Sequence, residues 1–240
     1  NFYTATVYEK GAEVIRMLKL LIGETAFAAG MQLYFRRHDG DAATIEQFLA
    51  CFAEASGMNL APFSRWYDQA GTPRVSVRRE YDAQRRELKL TLKQVNTPTP
   101  GQPEKLPQVI PIALGFVSQS ADGAQAAPTS LAVLESAEQT FVFPDIDQGA
   151  TPSLFRGFSA PVIVDLDLTD DDLLTLARRD TDAFNRWQSL QTLAMRVLLR
   201  STGAVRESRP TIGHDGLAEA VRGLLLEGEK DPAFAALAVT

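Results

Sequence analysis

The spacing of apolar residues changes twice along this chain, and those changes limit what it can fold into. Up to Gly71-Thr72-Pro73, apolar side chains recur at helical intervals. Beyond that point they alternate with polar ones, and from Thr169 the helical interval returns. Recurrence every three to four residues lays an apolar stripe along one face of an α-helix, whereas alternation lays one along a strand. The expected fold class is therefore multidomain α+β. Residues 1–72 form a helical piece, 73–167 an antiparallel β-sandwich, and 168–240 the start of an α-solenoid.

Local signals place the helices. Thr6 followed by Glu9 has the spacing of a capping box, and Val7, Ala12, Val14, Ile15, Leu18 and Leu21 then supply a stripe that Gly23 ends. A second helix is expected over 24–37, with Phe27, Met31, Leu33, Tyr34 and Phe35 inward, followed by a turn at His38-Asp39-Gly40-Asp41. Thr44 with Gln47 opens a third helix through Ala55. A fourth covers Leu60 to Gln69, with Phe63, Trp66 and Tyr67 as core, Gly71 at C′ and Pro73 barring continuation.

In the middle segment, Val75, Val77, Leu88, Leu90 and Leu92 mark half-buried strands, with more expected at 108–118, 139–143 and 161–167. Turn residues separate them at 96–101 and at Asp122-Gly123, a pattern that suits a β-sandwich. The basic pairs Arg78-Arg79 and Arg85-Arg86 read as solvated strand and turn residues. Thr169 caps a helix that opens with Asp170-Asp171-Asp172, where acids favour the positive end of the helix dipole. That acid run reads as capping and solvation, since a calcium site needs more oxygen ligands at loop spacing. Helices at 181–201, 214–227 and 232–240 follow, joined by short turns.

Composition excludes some functions. A net charge of −6 argues against a nucleic-acid surface. No apolar run approaches the roughly 20 residues of a membrane span. The single cysteine, Cys51, cannot form an internal disulfide, sits among Leu49, Ala50 and Phe52 as a buried helical thiol, and fits a reducing cytoplasm. The two histidines, His38 and His214, lack the close partners of a zinc site and read as turn residues, so no metal ligand is expected here. No glycine-rich phosphate loop and no nucleophile elbow occurs. The chain begins at Asn1 rather than Met and ends in apolar helix-like sequence without a stop signal, so it is expected to be an internal piece of a longer protein.

Val7-Tyr8-Glu9-Lys10-Gly11, with Thr4 and Thr6 before it and Ala12-Glu13-Val14-Ile15-Arg16-Met17 after it, resembles zinc aminopeptidases of the bacterial M1 family. The resemblance continues through Gly30-Met31-Gln32-Leu33-Tyr34-Phe35, His38-Asp39-Gly40, Arg65-Trp66-Tyr67 and Gly71-Thr72-Pro73. It reaches Glu138-Gln139-Thr140-Phe141-Val142-Phe143, Phe158-Ser159-Ala160-Pro161-Val162 and Phe184-Asn185-Arg186-Trp187. It implies that residues 1–72 are the end of a thermolysin-like catalytic domain, followed by a small β-sandwich and the start of a C-terminal helical domain.

The resemblance also implies chemistry. Tyr8 would be catalytic, stabilising the tetrahedral intermediate of peptide hydrolysis, and Tyr3 would line the pocket for the substrate's N-terminal side chain. A phenol stays neutral near pH 7 and can donate a hydrogen bond to a developing oxyanion. The family's zinc is bound through H-E-x-x-H and a later glutamate, none of which stands in this chain. Zinc is therefore expected in the intact enzyme and not on this chain, which alone should be inactive. The implied partners are peptide substrates and the missing N-terminal and C-terminal parts of the same protein, with no nucleic acid and no membrane. Glu9 and Lys10 read as capping and local ion-pairing residues. Two other readings stay open: an epoxide-opening branch of the same family, and a scaffold of this architecture that has lost its zinc ligands.

Overall fold

The computed structural model describes residues 6–118, 128–211, 213–228 and 231–239. A π-turn at Thr6–Lys10 runs directly into α1 (Gly11–Ile22). Val14, Met17 and Leu18 form the buried stripe of α1, and Gly23, at φ +85°, ends it with its N–H on the Lys19 carbonyl. α2 (Glu24–His38) and α3 (Ile45–Ser56) form a helical hairpin. Both bonds of the Thr44–Gln47 capping box are made, and Gly57 closes α3 in the left-handed region. The two helices meet where Gly30 faces the ring of Phe52, while Phe27 and Phe48 stack on the same ring with centroids 5.0 and 4.6 Å away. Cys51 lies buried on α3, as its apolar neighbours require.

The expected fourth helix is shorter. Only Arg65–Asp68 is helical (α4), and 61–64 is a turn. Pro62 has no N–H to give, and the Leu60 carbonyl takes the N–H groups of both Phe63 and Ser64. The cap is Gln69, so C′ is Ala70, and Gly71, at φ +96°, stands at C″ rather than at the expected C′.

Two sheets follow. β1 (Arg74–Asp82), β2 (Glu87–Val95), β5 (Glu138–Phe143) and β7 (Ile163–Leu166) form one, in the order β5-β2-β1-β7. β1 and β2 pair from Arg74↔Val95 to Asp82↔Glu87, and β7 joins β1 in parallel, unlike the antiparallel rule of the other pairings. β4 (Ser130–Leu134), β3 (Ile110–Val117) and β6 (Thr151–Leu154) form the second sheet, with the nearly fully buried β3 in the middle. Neither β4 nor β6 was expected from the pattern of apolar residues. Four helices complete the chain: α5 (Asp170–Arg179), α6 (Ala183–Arg206), α7 (Asp215–Glu227) and α8 (Pro232–Val239). The Thr169–Asp172 capping box forms at the start of α5.

The hydrophobic packing crosses the junction at Gly71-Thr72-Pro73. One hydrophobic cluster runs without a break from Val14, Phe52, Phe63 and Trp66 of the helical piece into Val75, Leu90, Ile110 and Leu114 of the sheets. A second, smaller cluster holds the terminal helices together through Ala177, Leu190, Ala220 and Leu224. Two expected solvent-facing groups turn inward at the seam between sheets and terminal helices. Arg79 pairs with Asp172 at 2.6 Å, and Thr151 donates to the other oxygen of the same, nearly buried carboxylate. Asp170 pairs with Arg196 and Arg200. The acid run thus caps α5 as expected, but two of its three carboxylates are held by arginines rather than by water alone.

Candidate functional site

Tyr8 sits in the middle of the π-turn, 61% exposed, at the open edge of the helical piece. The stripe of α1 explains this placement. With Val14, Met17 and Leu18 facing the core, the turn that precedes them is carried to the rim. Such i→i+5 turns are uncommon and are frequent at functional sites. Tyr3 lies outside the described residues. So does the side chain of Thr6, on which the expected Thr6–Glu9 capping box depends.

Lys10 corrects an expectation. It does not pair locally: its Nζ donates to the carbonyl of Gly71, 61 residues away, at 2.6 Å. Burial pushes the Lys10 ammonium below its ordinary pKa, and the neighbouring charge of Lys105 adds to this. Lys105 in turn donates to the carbonyls of Ala70 and Thr97, each at 2.7 Å. The same short segment is bound by Gln102, whose amide accepts from Ala70 N–H and donates to the Asp68 carbonyl. Gln69 makes both bonds to the backbone of Leu106. The end of α4 is therefore enclosed by the loop that precedes β3, with Lys10 closing it from the side of Tyr8.

Arg16, about two helical turns beyond Tyr8, ties α1 to the sandwich. Its guanidinium bonds Glu13 and donates to the carbonyls of Gly157 and Phe158. Those carbonyls belong to a tight turn in which Phe155, Gly157 and Phe158 all have positive φ, at 56°, 60° and 55°. Between them, Arg156 points inward, 3% exposed, and stands 3.1 Å from Asp180 at the end of α5. Ser153 and Asn185 join this buried network: Ser153 donates to Asp180, and Asn185 donates to Ser153 at 2.7 Å. Sequence reading missed Lys10, Arg16 and Arg156, because each acts on a backbone or carboxylate far along the chain.

The histidines stand elsewhere. His38 ends α2 and stacks near Tyr34, while His214 caps α7 by accepting from Leu217 N–H through Nδ1. Tyr67, also on the helical piece, is partly buried, and burial pushes its phenol up to about 12.

Three family descriptions match the chain in tandem: a peptidase family M1 domain over 1–67, a domain of unknown function (DUF3458) with an Ig-like fold over 71–167, and a companion domain with ARM repeats over 170–240. Aminopeptidase N of Caulobacter vibrioides is 48% identical over 99% of this chain, and aminopeptidase N of Escherichia coli is 41% identical over its full length. The chain belongs to the M1 peptidase family. It spans 27% and 28% of the length of those two curated relatives. A crystal structure of Legionella pneumophila aminopeptidase A in complex with aspartic acid superposes on 99% of the chain with a TM-score of 0.85 at 27% identity, covering 26% of that protein.

M1 membership implies zinc. Among the described residues no group of three or more His, Cys, Asp or Glu side chains could hold a metal ion, so the donor set of this segment does not fit a zinc site. The segment instead exposes the Tyr8 side chain on an unusual turn.

Proposed function

We propose that the full-length protein containing this chain removes N-terminal residues from peptides, and that Tyr8 contributes the hydrogen bond that stabilises the tetrahedral intermediate. The observation that carries this reading is the presentation of the Tyr8 phenol on an exposed π-turn within the segment that matches the M1 peptidase domain. The hydroxyl donates to the oxygen on which negative charge develops. The positive end of a helix dipole also favours negative charge near a first helical turn. Tyr3 is assigned to the pocket for the substrate's N-terminal side chain. The zinc implied by the family would be held by residues outside this chain. The segments 1–72, 73–167 and 168–240 are taken as the end of the catalytic domain, the sandwich and the opening of the helical domain. The single, buried cysteine supports a place in the bacterial cytoplasm.

The test is Tyr8→Phe in the full-length protein. The change removes one hydroxyl and leaves the ring, so thermal stability should hold. Losing a donor of this kind costs about 10²–10³ in kcat, or roughly 2.7–4 kcal/mol, with KM little changed. Retention of more than about a third of kcat under conditions where chemistry limits turnover would refute the assignment.

A further inference from the structure

We infer that Lys10 is a positioning residue for Tyr8, its ammonium pinning the end of the π-turn to the backbone at Gly71. The inference rests on the role proposed above for Tyr8. A π-turn is a short and loosely wound piece of helix, so the direction of a ring on it depends on what fixes its ends. Here the C-terminal end is Lys10 itself, whose backbone is already helical at φ −65°, ψ −37°. Its side chain does not run outward to solvent, as an unburdened lysine on a helix rim does. It crosses to Gly71 and bonds a single carbonyl at 2.6 Å.

The acceptor is immobilised independently. Gly71 takes a φ of +96°, open to glycine and strained for other residues, which sets where its carbonyl points. A Cβ there would meet Lys105 Nζ at 3.6 Å. Lys105 and Gln102, in the loop before β3, hold Ala70 and Asp68, and Gln69 holds Leu106 of the same loop, so the segment leading to Gly71 is bound to the sandwich region. The lowered pKa of Lys10 fits this picture, because the fold keeps an ammonium where burial and a second lysine both oppose it. The sequence of contacts therefore runs from the loop before β3, through residues 68–71, to Lys10 and the turn carrying the phenol. A hydrogen-bond donor displaced by as little as about 1 Å from its oxyanion can lose about 10² in rate.

The experiment compares Lys10→Met, Tyr8→Phe and the double variant in the full-length protein, by steady-state kinetics on an aminoacyl anilide. Methionine keeps the stem and removes the ammonium. Lys10→Met should lower kcat at least about fivefold with KM within about twofold, and the double variant should be no slower than Tyr8→Phe alone, because both changes act through one hydroxyl. If Tyr8→Phe loses activity while Lys10→Met loses less than about fivefold, or if the two losses multiply, the positioning role is wrong and the Tyr8 reading stands. If Tyr8→Phe keeps its kcat, both fall. Should Lys10→Met fail to fold, Lys105→Met loosens the same anchor from the sandwich side; its loss of kcat must likewise vanish in the Tyr8→Phe background, and a loss that persists there overturns the inference.

Discussion

Replacing Asp180 with alanine removes the carboxylate on which the sandwich and the terminal helices meet. Its side chain is 0% exposed and lies 3.1 Å from the Arg156 guanidinium. It also accepts from the Ser153 hydroxyl and, at 3.0 Å, from the Asp182 backbone N–H. In the variant, Arg156 keeps its charge in the same dry space without this carboxylate. The hydroxyls beside it, Ser153 at 2.9 Å and Thr129 at 3.1 Å, are neutral and cannot replace it. Removing one member of a buried pair costs about 3–5 kcal/mol, most of it the burden of the charge left behind. The attraction between the two ions is a poor measure, since their desolvation already offsets it. With a urea m-value of about 1–3 kcal/mol/M, the unfolding midpoint should fall by at least about 1 M. Tryptophan fluorescence reports the transition, because Trp187 lies on α6 beside Asn185, which bonds Ser153. Arg156→Met/Asp180→Ala should be more stable than Asp180→Ala, because no charge remains in the cavity. A loss below about 1 kcal/mol for Asp180→Ala, or a double variant less stable than the single one, would refute this account.

Two further predictions concern packing and pH. Gly30→Ala puts a Cβ 2.5 Å from Phe52 Cδ1 and 2.9 Å from Cε1, against a ring with 0% exposure, and should destabilise by about 1–3 kcal/mol; an unchanged thermal melt would show that the hairpin yields freely. Burial pushes the Asp172 carboxyl up, but hydrogen bonds from Arg79, the Thr169 N–H and Thr151 outweigh it and hold the group below the usual carboxylate range. Its contribution to stability is therefore present above the unfolded value of about 3.9 and is lost as pH falls through the lower folded value. The stability gap between wild type and Asp172→Asn should close on acidification over that range, and a gap that stays constant from neutral to strongly acidic pH would contradict the assignment.

Signals that act over three or four residues were legible. The box Thr44–Gln47, the cap at Thr169 and the stop at Gly23 formed as their residues require. The alternation of Val75, Val77, Leu88, Leu90 and Leu92 gave β1 and β2. β6 was not legible, because Thr151-Pro152-Ser153-Leu154 is buried through polar partners rather than through an apolar face: Thr151 bonds Asp172 and Ser153 bonds Asp180. The same distinction governs the candidate site. Tyr8 stood out through a contiguous motif, whereas Lys10 and Arg16 find their partners 61 and 141 residues away. A lone basic residue carries no mark of such a partner.

The uninterrupted core across Gly71 has a consequence for how this segment can be inherited or dissected. Trp66 donates from its indole to the Val109 carbonyl at 2.7 Å, and Arg65 reaches the carbonyl of Pro107. A chain cut at the junction would leave Phe63 and Trp66 facing water on one side and Val75, Val109 and Ile110 on the other. Neither half would own a complete interior. A recombination event that exchanged only the immunoglobulin-like module would have to match a foreign wall of side chains to the helical piece, residue by residue. The helical piece and the sandwich would thus have to move between proteins together, and a limited protease should find no productive site at Gly71-Thr72-Pro73 in the native state.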